Sequence, residues 1–473
     1  MGTINSAFSV ISGALDADQS ALGIVANNVA NANTPGYTEE RPNWQENQPV
    51  TINGVSYGDG VTETGATSLR DRVLEQRLDQ QQQLASSSSA RLTALNSVQA
   101  LFVPDSGSPS STAGDIGSDI TGFFKSFASL EANPSDNALR EEVLSSATTL
   151  SGDISGAAAS LNGQRAALDQ EASGVTSQVN SLTSAIGQLN QQIQTASSDA
   201  NAGALEDQRQ EDLSQLSQLV GINQITTENN GLSVTTTGGQ LLVSGDSSFQ
   251  LTSGSVGGMT HFFVGNTDIT AQLATGGGEL GGYLTARDQD IPSALNSMDQ
   301  LAYNISTAVN TQNSAGTDLD GITGTVANPL NIFTQSTTVA GSAMSMSVAM
   351  TDPNQVAAAG AGQGAGDNSN ATLMANMAKQ TMVGGQTPID FYSSFVSTLG
   401  ATVSGVQAEN TAQNASVTQL QSQNNALSGV NLNDEASAMS KLQTSYQAAS
   451  QVFAILNRIM TSALNLGQET TVS

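Results

Sequence analysis

Residues 4–37, INSAFSVISGALDADQSALGIVANNVANANTPGY, decide how the rest of the chain is read. Apolar side chains fall at Ile4, Phe8, Ile11, Leu15, Leu22, Val25 and Val29 in alternating steps of four and three, with Asp18 the one seam position that is not apolar. That spacing predicts a heptad seam on one face of a helix, roughly 40 Å long at about 1.5 Å per residue. The helix is expected to run over residues 4–33. Asn27, Asn28, Asn31 and Asn33 compete with helix through side-chain bonds to the backbone, and Pro35-Gly36 before Tyr37 makes a turn. The seam returns at the far end as Met439, Leu442, Tyr446, Ala449, Phe453, Leu456, Met460 and Ala463. Neither helix can hide its stripe alone, so the two chain ends are natural partners.

Length and composition bound what else the chain can be. At 473 residues it is too long for one ordinary core. Acidic residues outnumber basic ones 41 to 13, a net charge of −28, which disfavours nucleic acid and anionic membrane surfaces as partners. There is no Cys, so disulfides, thiolate metal sites and Cys nucleophiles are excluded. A single His, His261, leaves no multi-His metal site. No apolar run approaches the roughly 20 residues that span a bilayer, and no conventional signal peptide is visible. Met1 to Ser6 matches a myristoylation pattern that carries little weight without a transferase to read it.

Between the ends, periodicity divides the chain. Residues 51–61 give a hairpin-like signal. Helical pattern resumes near Ser68 and runs to Phe102, and Pro104 to Gly117 reads as a loop. Phe123, Phe124, Phe127 and Leu130 make a short apolar helix stopped at Asn133-Pro134, with Ser135 or Asp136 able to cap the next. Residues 138–197 are the strongest helical signal: Leu168, Ala172, Val175, Val179, Leu182, Ile186, Leu189 and Ile193 keep an unbroken seam, and Leu205 to Val220 supply a partner. Residues 222–285 switch to short β-prone runs separated by Asn229-Asn230-Gly231, Gly238-Gly239 and Ser244-Gly245-Asp246, with Gly276–Gly278 and Gly281-Gly282 read as the exit. Helix resumes from about Ile291, residues 313–370 are irregular with Val339 to Met350 strand-like, and the chain is mostly helical from Ala371. The expected fold is mainly α with β insertions, built from discontinuous segments: 1–66 with 425–473 as a terminal coiled coil, 67–221 with 286–424 as a long helical bundle body, and 222–285 as a small all-β outer domain.

Candidate chemistry is sparse. Asp318-Leu319-Asp320-Gly321 resembles a fragment of a calcium loop without its remaining ligands, and a turn held by Asp side chains is the simpler reading. Gly360 to Gly366 lacks the Gly-Lys-Ser/Thr ending of a phosphate loop. His261 has no nucleophile motif beside it, and Glu141/Glu142 and Glu211/Asp212 are adjacent helix positions that do not face each other. No catalytic residue, metal site or cofactor is expected.

The stretch ANNVANANTPGYT at residues 26–38 resembles the N-terminal signature of the flagellar axial proteins, the rod, hook and hook-associated family. Residues 429–436, GVNLNDEA, followed by 442–448, LQTSYQA, resemble its C-terminal signature. Internal stretches resemble the hook-associated branch at the hook–filament junction: Phe123 to Leu150, Gly281 to Asp288 with Ile291-Pro292, Gly316 to Gly321, and Asp390-Phe391-Tyr392. Asn313 departs from that pattern, where relatives often carry His. The short β insertion implies that an additional outer domain of larger relatives is absent. The resemblance implies a non-enzymatic structural protein, exported unfolded through the flagellar type III channel and assembled outside the cell as a ring of like subunits between hook and filament. It implies as partners other copies of the chain, the hook protein, the next junction protein and an export chaperone, with no nucleic acid and no membrane insertion. The implied assembly surface is Phe8, Ile11, Leu15, Leu22, Val25, Val29, the asparagines Asn27, Asn28, Asn31 and Asn33, Pro35, Gly36 and Tyr37, with Met439, Leu442, Tyr446, Phe453, Leu456 and Met460. On the physical side, the ends are expected to order only when neighbours supply a surface. A hook or distal-rod protein, and a secreted enzyme on a coiled-coil stalk with Asp246, Asp268 and Glu279 as its acids, stand as alternatives.

Overall fold

The computed structural model describes residues 2–34, 36–52, 54–102, 115–195, 202–226 and 231–466. The Met1 pattern, Pro35, most of the 104–117 loop and the Asn229-Asn230 turn lie outside the described residues. In chain order, α1 (Gly2–Asn31) leads to a β ribbon of β1 (Glu40–Glu46), β2 (Val50–Ile52), β3 (Val55–Tyr57) and β4 (Val61–Ser68). Then come α2 (Arg72–Gln99), α3 (Ile116–Ala132), α4 (Asn137–Thr195) and α5 (Gly203–Leu219). The strands β5 (Ile222–Thr226), β6 (Leu232–Thr236), β7 (Leu241–Ser244) and β8 (Ser247–Ser248) pair in sequential antiparallel order. Next, β9 (Leu251–Val256), β10 (Met259–Val264) and β11 (Thr267–Asp268) form a second meander. The chain closes with α6 (Thr270–Gly276), α7 (Gly278–Thr285), a π-helical turn Ala286–Asp290, α8 (Ile291–Ala315), α9 (Ser342–Ser345), α10 (Ser369–Asn376), α11 (Pro388–Ser428) and α12 (Leu432–Leu466).

The long helix α4 organises the middle. Its 59 residues span about 88 Å at about 1.5 Å per residue, and the predicted seam from Leu168 to Ile193 is buried except for half-buried Leu182. Asp136 accepts from Ala138 N at 2.8 Å and caps its start, one of the two cappers expected. Two apolar cores sit along it. The first half packs with α2, α3, α8 and α11 around Phe123, Phe124, Phe127 and Phe333. The second half packs with α5, α7 and the inner faces of the β strands, through Val179, Ile186, Val234, Leu242 and Phe262.

Two stretches fold differently from their sequence reading. Residues 276–285 are not an exit loop: α6 and α7 occupy residues 270–285, and helix resumes some twenty residues earlier than Ile291. Gly277 and Gly278 make the left-handed turn between α6 and α7, whereas a methyl group at Gly282 would collide with Ser87 O and Ala90 of α2, so Gly282 admits close helix packing. Val339 to Met350 holds the single helical turn α9 where a strand was expected, with only an isolated bridge from Phe333 to Val348. Helix α8 satisfies that irregular region with buried amides. Asn310 Nδ2 donates to Phe333 O at 2.9 Å and its Oδ1 accepts from Phe333 N at 3.0 Å. Asn313 Nδ2 donates to Leu330 O at 2.7 Å and its Oδ1 accepts from Ala357 N at 2.9 Å. The carboxamides replace a sheet ladder, and the departure at Asn313 is accommodated as a structural strap.

Asp119 of α3 is one of the destabilising carboxyls of this body, with Glu75 and Asp79 of α2. Burial pushes the Asp119 carboxyl up to about 7, and the Asp153 and Asp115 carboxyls beside it push the same way. A folded-state pKa above the ordinary carboxylate value means that the folded chain holds a proton the unfolded chain has released. The contribution to stability is then full at acid pH and is lost as pH rises through about 7. Asp119→Asn is expected to raise the melting temperature at pH 8 and to leave it nearly unchanged at pH 4, measured by circular dichroism.

Candidate functional site

The two signature stretches meet at one side chain. Asn28 sits in the last turns of α1 and is 1% exposed. Its Nδ2 donates to Glu40 O of β1 at 2.8 Å and to Glu435 Oε1 of α12 at 3.0 Å. Its Oδ1 accepts from Glu40 N at 3.1 Å and from the Tyr37 hydroxyl at 2.8 Å. One carboxamide thereby joins the first helix, the turn after it, the ribbon and the last helix. Burial pushes the Glu435 carboxyl up, against the Asn28 bond, which pulls it down. Burial and then the Glu40 carboxylate hold the Tyr37 hydroxyl protonated well above its ordinary range, which suits its role as donor. Asn27 Nδ2 donates to the Tyr37 hydroxyl at 3.3 Å, and Asn31 reaches back to Asn27 at 2.9 Å. Gly36 takes a φ of 77°, the left-handed conformation that the reversal after Thr34 requires.

The helices α1 and α12 run antiparallel along the predicted seams. Phe8 packs against Phe453 with ring centroids 4.6 Å apart and the rings tilted by 56°, near the chain termini, while Asn28 meets Glu435 at the other end. Ile11, Leu15 and Leu22 are half-buried, as are Met439, Leu442, Leu456 and Met460, and Val25 is buried. Val29 and Tyr446 stay exposed, as do Asn27, Asn33 and Gly36, and Asn31 and Tyr37 are half-buried. Asp18 is buried at its seam position, with no hydrogen-bond partner for Oδ2 among the described residues. The reading from periodicity missed a second stripe. Ala17, Ala21 and Asn28 are buried because α1 also lies against the ribbon, where Gly60 packs on Val10 and Gly13 on the Val61 carbonyl. Glu435 was legible only as part of its motif.

A charged junction fixes these ends to the body. Thr38 donates to Asp207 of α5 through its N at 3.3 Å and its Oγ1 at 3.1 Å. Arg70 pairs with the same carboxylate, and its Nη1 donates to Glu206 O at 2.8 Å. Glu39 N donates to Ser428 O at 2.9 Å, and Ser428 Oγ donates to Leu69 O at 3.0 Å, so the outgoing and returning chains are tied where they pass. The remaining candidate groups make local contacts. Asp318 Oδ1 accepts from Asp320 N and Ile322 N as an Asp-held turn. His261 Nδ1 lies 2.7 Å from Asp268 Oδ2. No group of His, Asp and Glu able to hold a metal occurs among the described residues, and no described helix is long and apolar enough to cross a membrane.

Removing the Asn28 carboxamide strands buried partners, at about 1–3 kcal/mol for each unsatisfied group. Asn28→Ala is expected to speed amide exchange over α1 and the start of α12 while leaving α4 protected, read by exchange mass spectrometry.

Known proteins resemble this chain in sequence and in fold. The family model for the flagellar hook-associated protein FlgK helical domain matches residues 108–326. The models for flagella basal body rod protein and for the bacterial flagellin C-terminal helical region match 8–38 and 387–466. Flagellar hook-associated protein 1 of Escherichia coli is 25% identical, over 96% of this chain and 98% of its own. That of Salmonella typhimurium is also 25% identical over the same shares, and that of Bacillus subtilis is 26% identical over 96% of each. The solved structure of the flagellar hook junction protein FlgK from Burkholderia pseudomallei shares the fold, with a TM-score of 0.64 at 19% identity over 74% of this chain and 99% of that one. With matches at both termini and through the helical middle, the chain is similar to flagellar hook-associated protein 1 along nearly its whole length.

Proposed function

We propose that this chain is the structural piece that joins hook to filament in a bacterial flagellum, working as a ring of like subunits held by their terminal helices. One observation carries the assembly part. Helix α12 bears two seams, and the fold covers only one. The first faces α1. The second, Ala448, Val452, Ile455 and Ile459 in steps of four, three and four, is exposed, with Ile455 at 54%. A helix with two apolar seams belongs in a bundle of more than two helices, and the missing helices have to come from outside the chain. Neighbouring copies, the hook protein and the next junction protein are the partners this reading supplies, and an export chaperone would shield the same seam before assembly. The division into 1–66 with 425–473, 67–221 with 286–424, and 222–285 then separates an assembly unit from a body and an outer unit.

The role is structural rather than catalytic. The acids that a stalked enzyme would use are spread out and already engaged: Asp268 accepts from Thr270 N at 3.0 Å, and Glu279 accepts from the Tyr283 hydroxyl at 2.9 Å. A hook or distal-rod protein would carry a β-rich middle, whereas α2 to α5 and α8 make this one helical.

Because Ile455 lies on the uncovered side of α12 and is 54% exposed in the single chain, it separates assembly from folding. Ile455→Asp is expected to keep the helicity and melting temperature of the purified chain while its amount in isolated flagella falls at least tenfold by immunoblot. Incorporation at the wild-type level would reject the seam as an assembly surface.

A further inference from the structure

The ribbon beside the terminal helices has an open face of its own. Strands β2 and β3 pair Val50 with Tyr57 and Ile52 with Val55, which places Val50, Val55 and Tyr57 on one side of a two-stranded sheet. Val55 is 53% exposed, and Val50 and Tyr57 are nearly as open. Lower on the ribbon, Trp44 stands opposite Glu63, and Glu46 opposite Val61, so an indole and two carboxylates share a face. Trp44 is the one tryptophan of the chain and is 47% exposed. A two-stranded ribbon is marginal in water, and an exposed apolar side on it calls for a partner.

Charge indicates which partner. Residues 42–66 carry Glu46, Asp59 and Glu63 and no cation, and none of the three is in an ion pair among the described residues. Helix α12 after Glu435 is the reverse: through Leu466 it carries Lys441 and Arg458 and no acid, again without an ion pair among the described residues. In a chain of net charge −28, a helix stretch with two cations and no acid is complementary to an acidic ribbon. Arg458 lies beside Ile459 and one turn from Ile455, on the border of the uncovered seam. Within one chain the two surfaces do not meet. The ribbon rests on α1 through Gly60 and Val61, and Val55 and Ile455 are both left open.

We propose that the ribbon is a docking arm whose Val50, Val55 and Tyr57 face packs on the Val452, Ile455 and Ile459 seam of a second copy, with its carboxylates toward that copy's Arg458 and Lys441. This rests on the reading that copies assemble through their ends, and it names which surface meets which. The contact joins two different patches, so it is head-to-tail and propagates around a ring or helix instead of closing a dimer.

The chain contains no Cys, so introduced thiols report without background. Val55→Cys, Ile455→Cys and the double variant are expressed in place of the wild-type chain, and isolated flagella are oxidised. The double variant is expected to give a covalent ladder of the chain on non-reducing gels, and each single variant only monomer. Assembly of the double variant without a ladder, or cross-linking by Ile455→Cys alone, would overturn the arm while leaving assembly intact. Absence of the wild-type chain from flagella would overturn the assembly reading and the arm with it. Trp44 gives an independent measure on the unmutated chain: emission at shorter wavelength in the assembled than in the free protein supports docking, and unchanged emission contradicts it.

Discussion

The buried carboxamide of Asn28 is the constraint on which the arrangement of the chain ends depends. An apolar heptad seam alone tolerates sliding by a turn, because one heptad resembles the next. A buried amide does not. Asn28 has its donor and acceptor atoms matched at once by the Glu40 backbone, the Tyr37 hydroxyl and Glu435, and a shifted register would leave those groups buried and unpaired. The asparagines that read as a helix terminator are thus also the element that sets how α1, the ribbon and α12 lie together. That register in turn decides which seam of α12 is covered and which is presented outward.

The rest of the molecule holds this unit at a fixed place on a rod-like body. Helix α4 runs through both apolar cores, so the β meanders and the helical bundle share one backbone. Arg287 bonds to Asp169 of α4, Asp288 and Thr260 O while 1% exposed, which locks β10 and the π-helical turn onto that helix. At the other end, Arg70, Thr38 and Asp207 tie the outgoing chain to α5. Three polar clasps therefore position surfaces that are apolar. This division is consistent with a composition low in aromatics and rich in amides and hydroxyls.

The heptad seams were the most legible part of the sequence, because branched and aromatic side chains at steps of three and four have few other readings. The seam of α4 and the Phe8–Phe453 end of the terminal pair follow from it directly. Ala17 and Ala21 did not stand out: alanine is as common on open helix faces as on buried ones, and only the neighbouring ribbon shows that they are covered. Gly282 of α7 read as a loop residue because local conformational cost was the visible signal, while the collision with Ser87 that requires a glycine there is tertiary. The region after Gly316 read as irregular, with Val339 to Met350 strand-like, and Asn310 and Asn313 meet its backbone from a helix, which no local pattern announces. Of the candidate site, the apolar half was visible in advance, and the hydrogen-bond partners of Asn28 were not.

The central claim is that the paired ends are a separate assembly device and the body between them folds without them. It is tested most directly by comparing the thermal unfolding of the full chain with that of residues 67–428 alone. The account predicts a cooperative transition for the shortened chain at nearly the same temperature, with loss of only the helicity of α1 and α12. A shortened chain that is unfolded, or that melts without cooperativity, would make the terminal helices part of the interior and would contradict it.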